Sequence, residues 1–341
     1  MKDHSLEVHG CHTYDATGAI SPSICLSATF RHPRFGESTG YDYGRVANPT
    51  RESLEKTVAL LERGGRSWAL SSGMAAVQLV FSLLSAGDHV LMSEDLYGGT
   101  VRLAEEVFAG YGVTFEYVDV RDLALVGKRM RSETKLVFIE TPSNPMMQIS
   151  DIAALSALAH ENGALLAVDN TFLSPHFQKP LTLGADIVLH SGTKYLCGHN
   201  DVIAGFLVLK DATSAQAKRI ELLAKSAGPN LSALDSWLML RSIKTLGVRV
   251  ERQAENALAI AQWLGTLPEV TEVLYPGLAD HPGYALQQKQ ASGAGGMISF
   301  KVRSAELAKA ALGKLHLIAF AESLGGVETL LTYPIAQTHA E

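Results

Sequence analysis

Two stretches decide how this chain folds: Ala164-Leu165-Leu166-Ala167-Val168-Asp169-Asn170-Thr171 and Ile187-Val188-Leu189-His190-Ser191-Gly192-Thr193-Lys194-Tyr195. Each is a short, continuous apolar run that stops abruptly at polar residues. A run of that length without alternation marks a strand buried on both faces, as in a parallel sheet covered by helices. The polar residues that follow then stand at the carboxyl ends of the strands, the edge where open α/β sheets bind ligands. Asp169 is thereby set at the mouth of one strand and Lys194 at the mouth of the next. Taken singly, each of the two residues reads more readily as half of an ion pair on the rim of the sheet.

Outward from this pair, Val90-Leu91-Met92 and Leu136-Val137-Phe138-Ile139 have the same apolar character, and Asp151 to Asn162 is helical between strands. The alternation predicts an α/β domain with a mostly parallel sheet. From Met1 to about Pro49 the breakers Pro22, Pro33, Gly36, Gly40 and Gly44 interrupt any periodicity, with Tyr41, Tyr43 and Arg45 among them. That pattern predicts an extended arm, which must lie on another surface such as a second subunit. The first helix follows Thr50 as its N-cap, with Leu54, Val58 and Leu61 on one face. A long helical region opens near Leu231 and breaks at Gly247. Strands at Val270 to Leu274, Met297 to Phe300 and Leu317 to Phe320, with a helix from Ser304 to Leu312, then predict a smaller α+β domain. The expected division is an arm over 1–49, an α/β domain over 50–230 and an α+β domain over 231–341.

With 341 residues, 47% of them apolar, the chain is long enough for two cores. A net charge of −6 offers no basic field to a phosphate backbone, so no nucleic-acid partner is expected. Met1 to Glu7 contains no apolar core of a secretory signal. The most apolar stretch, Leu70 to Leu84, is broken by Ser71, Ser72, Gly73, Gln78 and Ser82, too short and too polar to cross a bilayer. Three widely spaced cysteines, Cys11, Cys25 and Cys197, suit free thiols in a reducing compartment. The expectation is a cytoplasmic enzyme with no membrane partner.

A third element shifts the balance on Asp169 and Lys194. Leu70-Ser71-Ser72-Gly73-Met74-Ala75-Ala76 passes from a strand end through small residues into an apolar helix. Such a helix start presents free amides and the positive end of the dipole, which suits a phosphate, although an ordinary capped turn has the same sequence. A phosphate cradle, a lysine and an aspartate together are what pyridoxal 5'-phosphate (PLP) requires: the lysine forms a Schiff base and the aspartate keeps the pyridine nitrogen protonated.

Ser191-Gly192-Thr193-Lys194-Tyr195 preceded by Val168-Asp169-Asn170-Thr171-Phe172 resembles the Cys/Met-metabolism family of PLP enzymes, which includes cystathionine γ-synthase, cystathionine β- and γ-lyases and methionine γ-lyase. The likeness runs over nearly the whole chain, through Tyr41-Asp42-Tyr43-Gly44-Arg45, Asn48-Pro49-Thr50-Arg51, Ser72-Gly73-Met74, Tyr97-Gly98-Gly99-Thr100, Pro142-Ser143-Asn144-Pro145 and Glu322-Ser323-Leu324-Gly325-Gly326. The resemblance implies the aspartate aminotransferase-like fold, type I of the PLP-dependent transferases, with a smaller C-terminal α+β domain and an extended N-terminal arm. It implies Lys194 as the Schiff-base lysine and proton shuttle, Asp169 as partner of the pyridinium nitrogen, Tyr97 stacked on the ring and Asn144 near the cofactor's 3-hydroxyl. Gly73, Met74, Ser191 and Thr193 would hold the phosphate. Tyr43 and Arg45 would reach the phosphate of the neighbouring subunit, in a homotetramer built as a dimer of dimers with shared sites. Ser323 would lie on the substrate side. In the family a later arginine, in a segment resembling Arg-Leu-Ser-Val-Gly, binds the substrate α-carboxylate. This sequence ends at Thr338-His339-Ala340-Glu341 before any such segment, which leads us to expect that the natural chain continues.

The same resemblance bears on the substrate. Arg102 stands where cystathionine enzymes of the family carry an arginine, and a cation there suits a distal carboxylate; a solvated surface charge is the alternative. Gly99 occupies the place of the cysteine expected of methionine γ-lyases. Glu322 follows the γ-lyase and γ-synthase pattern, a form that several bacterial β-lyases share. The expected activity is a carbon–sulfur lyase acting on cystathionine, cysteine and homocysteine, with cystathionine γ-synthase as the alternative and a non-catalytic regulator of the same fold as a distant one. Ser191-Gly192-Thr193-Lys194 also satisfies the S-x-x-K pattern of serine acyl-transfer enzymes, but Val168-Asp169-Asn170 and Lys244-Thr245-Leu246-Gly247 fit neither companion motif. No metal site is expected: His190, His199 and Asp201 lack a helical pairing, and Cys11-His12 has no matching second half.

Overall fold

The computed structural model describes residues 2–11 and 17–334. Its centre is a seven-stranded sheet of β1 (Arg66–Leu70), β2 (His89–Ser93), β3 (Thr114–Val118), β4 (Thr134–Glu140), β5 (Leu165–Asp169), β6 (Ile187–Ser191) and β7 (Gly205–Leu209). Their spatial order is β1-β7-β6-β5-β4-β2-β3. From β3 across to β6 every pair is parallel, while β7 runs antiparallel to both neighbours. The runs Val90–Met92, Leu136–Ile139, Leu165–Val168 and Ile187–Leu189 read from the sequence fall inside these strands. Their lack of alternation has a direct cause. Val137, Ile139, Leu166, Val168 and Val188 enter one buried cluster, and Leu136, Phe138, Ala167, Ile187 and Leu189 enter another. With a core on each face, the middle of β4, β5 and β6 carries apolar residues and the polar ones fall at the strand ends.

β7 departs from the parallel pattern because the connection 192–204 carries no helix, and a parallel return needs a crossover. This helix-free connection is the one that carries Lys194. β1, antiparallel to β7 in its turn, points the same way as β6, so the carboxyl ends of β1, β2, β4, β5 and β6 share one edge.

The helix expected to start after Thr50 spans Pro49–Leu61, and its cap is Asn48. The Asn48 side chain accepts the amides of Thr50 at 3.0 Å and Arg51 at 3.2 Å, with Pro49 as the first helical residue. The region after Leu231 is two helices, Ala233–Ile243 and Leu246–Leu264, parted at Lys244-Thr245. Gly247 lies inside the second helix, where it makes room: a Cβ there would stand 2.6 Å from Glu7 Oε2 and 2.8 Å from His4 Nδ1. Those two residues belong to the helix Asp3–His9, an element that breaker counting did not foresee in the arm. It is pinned by buried Leu6 and by Glu7, which accepts the Gly247 amide at 3.1 Å and pairs with His176 Nδ1 at 2.6 Å. Residues 17–48 form no helix or strand beyond an isolated bridge between Thr29 and Tyr43.

After the helix Leu246–Leu264 come β8 (Val270–Leu274) and β9 (Ser299–Val302), an antiparallel pair, and β10 (Ala319–Phe320) and β11 (Leu330–Leu331), a short parallel pair, with the helix Ala305–Leu312 between β9 and β10. This part is thinly packed around Ala257, Ala261, Tyr275 and Ala294. Thr338 to Glu341, beyond which the family's arginine segment was expected, lie outside the described residues, as does His12. Among the described residues no helix is long and apolar enough to cross a membrane.

Candidate active site

Strand register brings the polar ends together. Leu70 pairs with Gly205, Gly205 with Ser191, Leu189 with Asp169, and Asp169 with Glu140. β1 continues through Ser71-Ser72 into the helix Gly73–Phe81, where the Ser72 hydroxyl caps the Ala75 amide at 3.1 Å. Two glycines permit this approach. A Cβ on Gly205 would stand 1.9 Å from the Ser72 carbonyl oxygen, and one on Gly73 would stand 2.9 Å from Ser191 Cβ. The first turn of that helix therefore rests on the end of β6, with its free amides at the shared edge. Tyr97, in the loop after β2, folds its ring over Gly99, where a Cβ would meet the ring at 2.5 Å and Met74 Sδ at 3.2 Å. Gly73, Met74, Tyr97 and Ser191 thus form one group.

Asp169 ends β5. Its Oδ1 accepts the Thr171 hydroxyl at 2.5 Å and the Thr171 amide at 3.0 Å, and the same hydroxyl accepts the Ser191 amide at 2.8 Å. Burial pushes the Asp169 carboxyl up, opposed by the two Thr171 bonds and by His190. Next to it lies a buried polar network: His190 Nε2 pairs with Glu62 Oε1 at 2.5 Å, and Asn170 Nδ2 donates to Glu62 Oε1 at 2.9 Å and to the Gln178 carbonyl at 2.8 Å. Gln178 Nε2 donates to the Thr141 carbonyl at 3.0 Å, so the ends of β4, β5 and β6 are tied to one another.

Lys194 lies in the turn after β6, and its Nζ donates to Ser323 Oγ at 3.1 Å. Burial lowers the pKa of the amine, against the pull of Glu322, which is exposed beside it. Ser323 has φ 151°, a strained value for a residue with a side chain, of the sort held in place only by its surroundings. Those surroundings are close: a Cβ on Gly325 would stand 2.6 Å from the Tyr195 amide nitrogen, Gln253 Nε2 donates to the Gly326 carbonyl at 2.8 Å, and the Val327 amide donates to the Gly198 carbonyl at 3.0 Å. The 322–328 segment closes directly on the lysine turn. The Thr193 hydroxyl is engaged within that turn, accepting the Ala204 amide at 3.1 Å.

Asn144 is half-buried in the loop after β4. Asp95 ties that loop to the Tyr97 loop by accepting the Ser143 hydroxyl and the Met146 amide, the latter at 3.1 Å. Arg102 is exposed at the end of the short helix Gly98–Arg102. On the arm, the Arg45 guanidinium stands 5.6 Å from the centre of the Tyr43 ring and donates to the Lys225 carbonyl, and Asn230 Nδ2 donates to the Arg45 carbonyl at 2.5 Å. Among the described residues, none of Tyr43, Arg45 and Arg102 bonds to the Lys194 group. Two residues that matter here escaped the sequence reading, Thr171 and Glu140. Each had a signal: Thr171 is a short polar side chain two positions after Asp169, and Glu140 ends an apolar run just as Asp169 does.

Among the described residues one group has the spacing of metal ligands, His4, Glu7 and His176, whose ligand atoms lie within 4.8 Å of one another. The Glu7–His176 pair and the Gly247 amide already account for it as a pin on the first helix. His190 pairs with Glu62, His199 Nδ1 lies 2.7 Å from the Cys197 carbonyl oxygen, and Asp201 accepts the Cys197 thiol.

An amine made less basic by burial, a half-buried carboxyl group on the neighbouring strand, and a glycine-opened helix start on the same edge fit the aldehyde, ring nitrogen and phosphate of PLP. The comparisons with known proteins agree. The family model described as Cys/Met metabolism PLP-dependent enzyme matches residues 4–341. Cystathionine gamma-lyase of Bacillus subtilis is 46% identical over 341 residues, covering 100% of this chain and 89% of that protein. Cystathionine beta-lyase of the same organism is 46% identical over 96% of this chain and 84% of its own length. The crystal structure of cystathionine gamma synthase from Xanthomonas oryzae pv. oryzae, in complex with aminoacrylate and cysteine, superposes with a TM-score of 0.95 at 40% identity, covering 100% of this chain and 88% of that one. With a family model spanning all but its first three residues, the chain belongs to the Cys/Met-metabolism family of PLP-dependent enzymes.

Proposed function

We propose that the protein cleaves the carbon–sulfur bond of cystathionine and of related sulfur amino acids, cysteine and homocysteine among them, releasing a thiol or sulfide with an oxo acid and ammonia. PLP, the cofactor of the family, supplies an electron sink for negative charge at the substrate α-carbon. The observation that carries the reading is Lys194 itself: a desolvated amine 3.1 Å from Ser323 Oγ, at the mouth of the strand next to Asp169. Lys194 would hold the cofactor's aldehyde, and the same amine is placed to carry the substrate's α-proton. Burial helps it, because an amine of lowered basicity is more often in the neutral form that attacks or accepts a proton. Asp169 would keep the ring nitrogen protonated, Tyr97 would stack on the ring, and Asn144 would bond its hydroxyl. Gly73, Met74, Ser191 and Thr193 hold the phosphate from one subunit, and Tyr43 and Arg45 reach it from the neighbour.

On the substrate side stand Ser323, Glu322 and Arg102, the last suited to a distal carboxylate. We place the enzyme in the cytoplasm, as a homotetramer built from two dimers. Cystathionine γ-synthesis, from cysteine and an O-acylhomoserine, is the second reading, favoured by the likeness to a solved γ-synthase. The test is a product assay on three mixtures: cystathionine, cysteine alone, and O-acetyl- or O-succinylhomoserine with cysteine. Oxo acid and thiol or sulfide from the first two support the lyase. Cystathionine formed only from the third would give the synthase instead.

A further inference from the structure

Glu140 closes β4 on the same edge where Asp169 closes β5, and the two are register partners. Partners across a parallel pair project from the same face at one strand spacing, about 4.8 Å. Glu140 is 5% exposed, and its Oε2 accepts the Tyr97 amide at 3.1 Å. The site therefore contains two carboxyl groups side by side. Glu140 is buried and Asp169 half-buried, and neighbouring carboxyls so placed disfavour each other's charge, so that one ionises more readily than the other. Hydrogen bonds decide which. Asp169 accepts two from Thr171, both favouring its charge, whereas Glu140 accepts one from Tyr97. The other groups nearby act the same way: Asp95 repels charge on Glu140, and His190, paired with Glu62, favours charge on Asp169. Burial first, then the charge of Asp169, push the Glu140 carboxyl well above the ordinary carboxylate range.

We infer that Glu140 is a positioning residue of this site: it stands beside Asp169 as an uncharged acid, fixes the Tyr97 backbone through one oxygen, and leaves the pair with a single negative charge. The link to the cofactor rests on the roles proposed above for Asp169 and Tyr97; the protonation does not. Two readouts test it on the full-length chain. Infrared difference spectra at neutral pH, native minus Glu140→Gln, should show the carbonyl band of a buried protonated carboxyl in both PLP-free and PLP-loaded protein. PLP titration of the cofactor-free protein should show Glu140→Ala binding about tenfold more weakly, the scale of one lost hydrogen bond, with Glu140→Gln restoring most of the affinity. An absent band, or Glu140→Gln binding as weakly as Glu140→Ala, overturns the inference. Should Glu140→Ala fail to fold, the infrared result decides alone. Normal PLP binding by Asp169→Asn, with the band still present, would instead sink the role given to Asp169.

Discussion

Thr171 joins two strand ends through one hydroxyl, which donates to Asp169 at 2.5 Å and accepts the Ser191 amide at 2.8 Å. Thr171→Val keeps the shape and deletes that oxygen. The residue is 8% exposed, so water has little room to replace it. A hydrogen bond to a charged group contributes roughly 1.5–3 kcal/mol, and leaving the Ser191 amide without its acceptor costs roughly 1–3 kcal/mol. On Asp169 the first loss removes one of the bonds that oppose burial, so its carboxyl is pushed further up. The Thr171 amide remains on Asp169 at 3.0 Å, so its charge is weakened rather than abolished. If that charge holds the ring nitrogen, PLP should bind about 10–100-fold more weakly, since about 1.4 kcal/mol is tenfold. The assay is fluorescence titration of cofactor-free protein with PLP, alongside urea unfolding, with Thr171→Ser as the control that restores the hydroxyl. Thr171→Val protein that binds PLP within twofold of native and unfolds at the native midpoint would refute the reasoning.

Three further outcomes follow from the geometry. Burial pushes the Glu55 carboxyl up to about 7, although it accepts the Ala69 amide at 3.1 Å and lies 3.5 Å from Arg51. The folded state then binds the extra proton, so stability falls as pH rises from about 4.3 to about 7, by at most about 4 kcal/mol. Glu55→Gln should flatten that part of the urea-midpoint profile, and an unchanged slope would exclude the assignment. Gly205→Ala places a Cβ 1.9 Å from the Ser72 carbonyl oxygen, which should cost about 3 kcal/mol and loosen PLP; a neutral effect on both would mean the cradle is not fixed there. If Tyr43 and Arg45 serve the neighbouring subunit, mixing Arg45→Ala with Lys194→Ala chains should recover part of the activity neither has alone, while hybrids proven to form yet inactive would confine the arm to its own subunit.

Much of this site is legible in the sequence because it sits at strand ends. Leu165 to Val168 and Ile187 to Leu189 are apolar on both faces, so the polar residues after each mark the edge. Asp169 and Lys194 can be placed there from the sequence, though not told from a rim ion pair without the Ser72-Gly73-Met74 turn. What the sequence hides is side-to-side adjacency. Glu140 is a strand end like Asp169, but only the register of β4 against β5 makes them neighbours. The contact of Lys194 with Ser323 spans 129 positions and rests on a strained residue and two close-packed glycine positions, none of which has a periodic signature. Gly247 shows the opposite error. Propensity marks it as a helix break, yet packing against Glu7 and His4 keeps it within the helix. The reversal of β7 is set by a connection too irregular for helical crossover, which the apolar pattern of Gly205 to Leu209 does not betray.

Everything proposed for the reaction depends on where the cofactor is attached. The most direct measurement is reduction of the purified, PLP-loaded protein with borohydride, followed by proteolysis and mass mapping of the labelled peptide. The structure predicts one label, on Lys194, lost in Lys194→Ala protein. A label on Lys179, Lys210 or Lys225, or on no lysine at all, would contradict it.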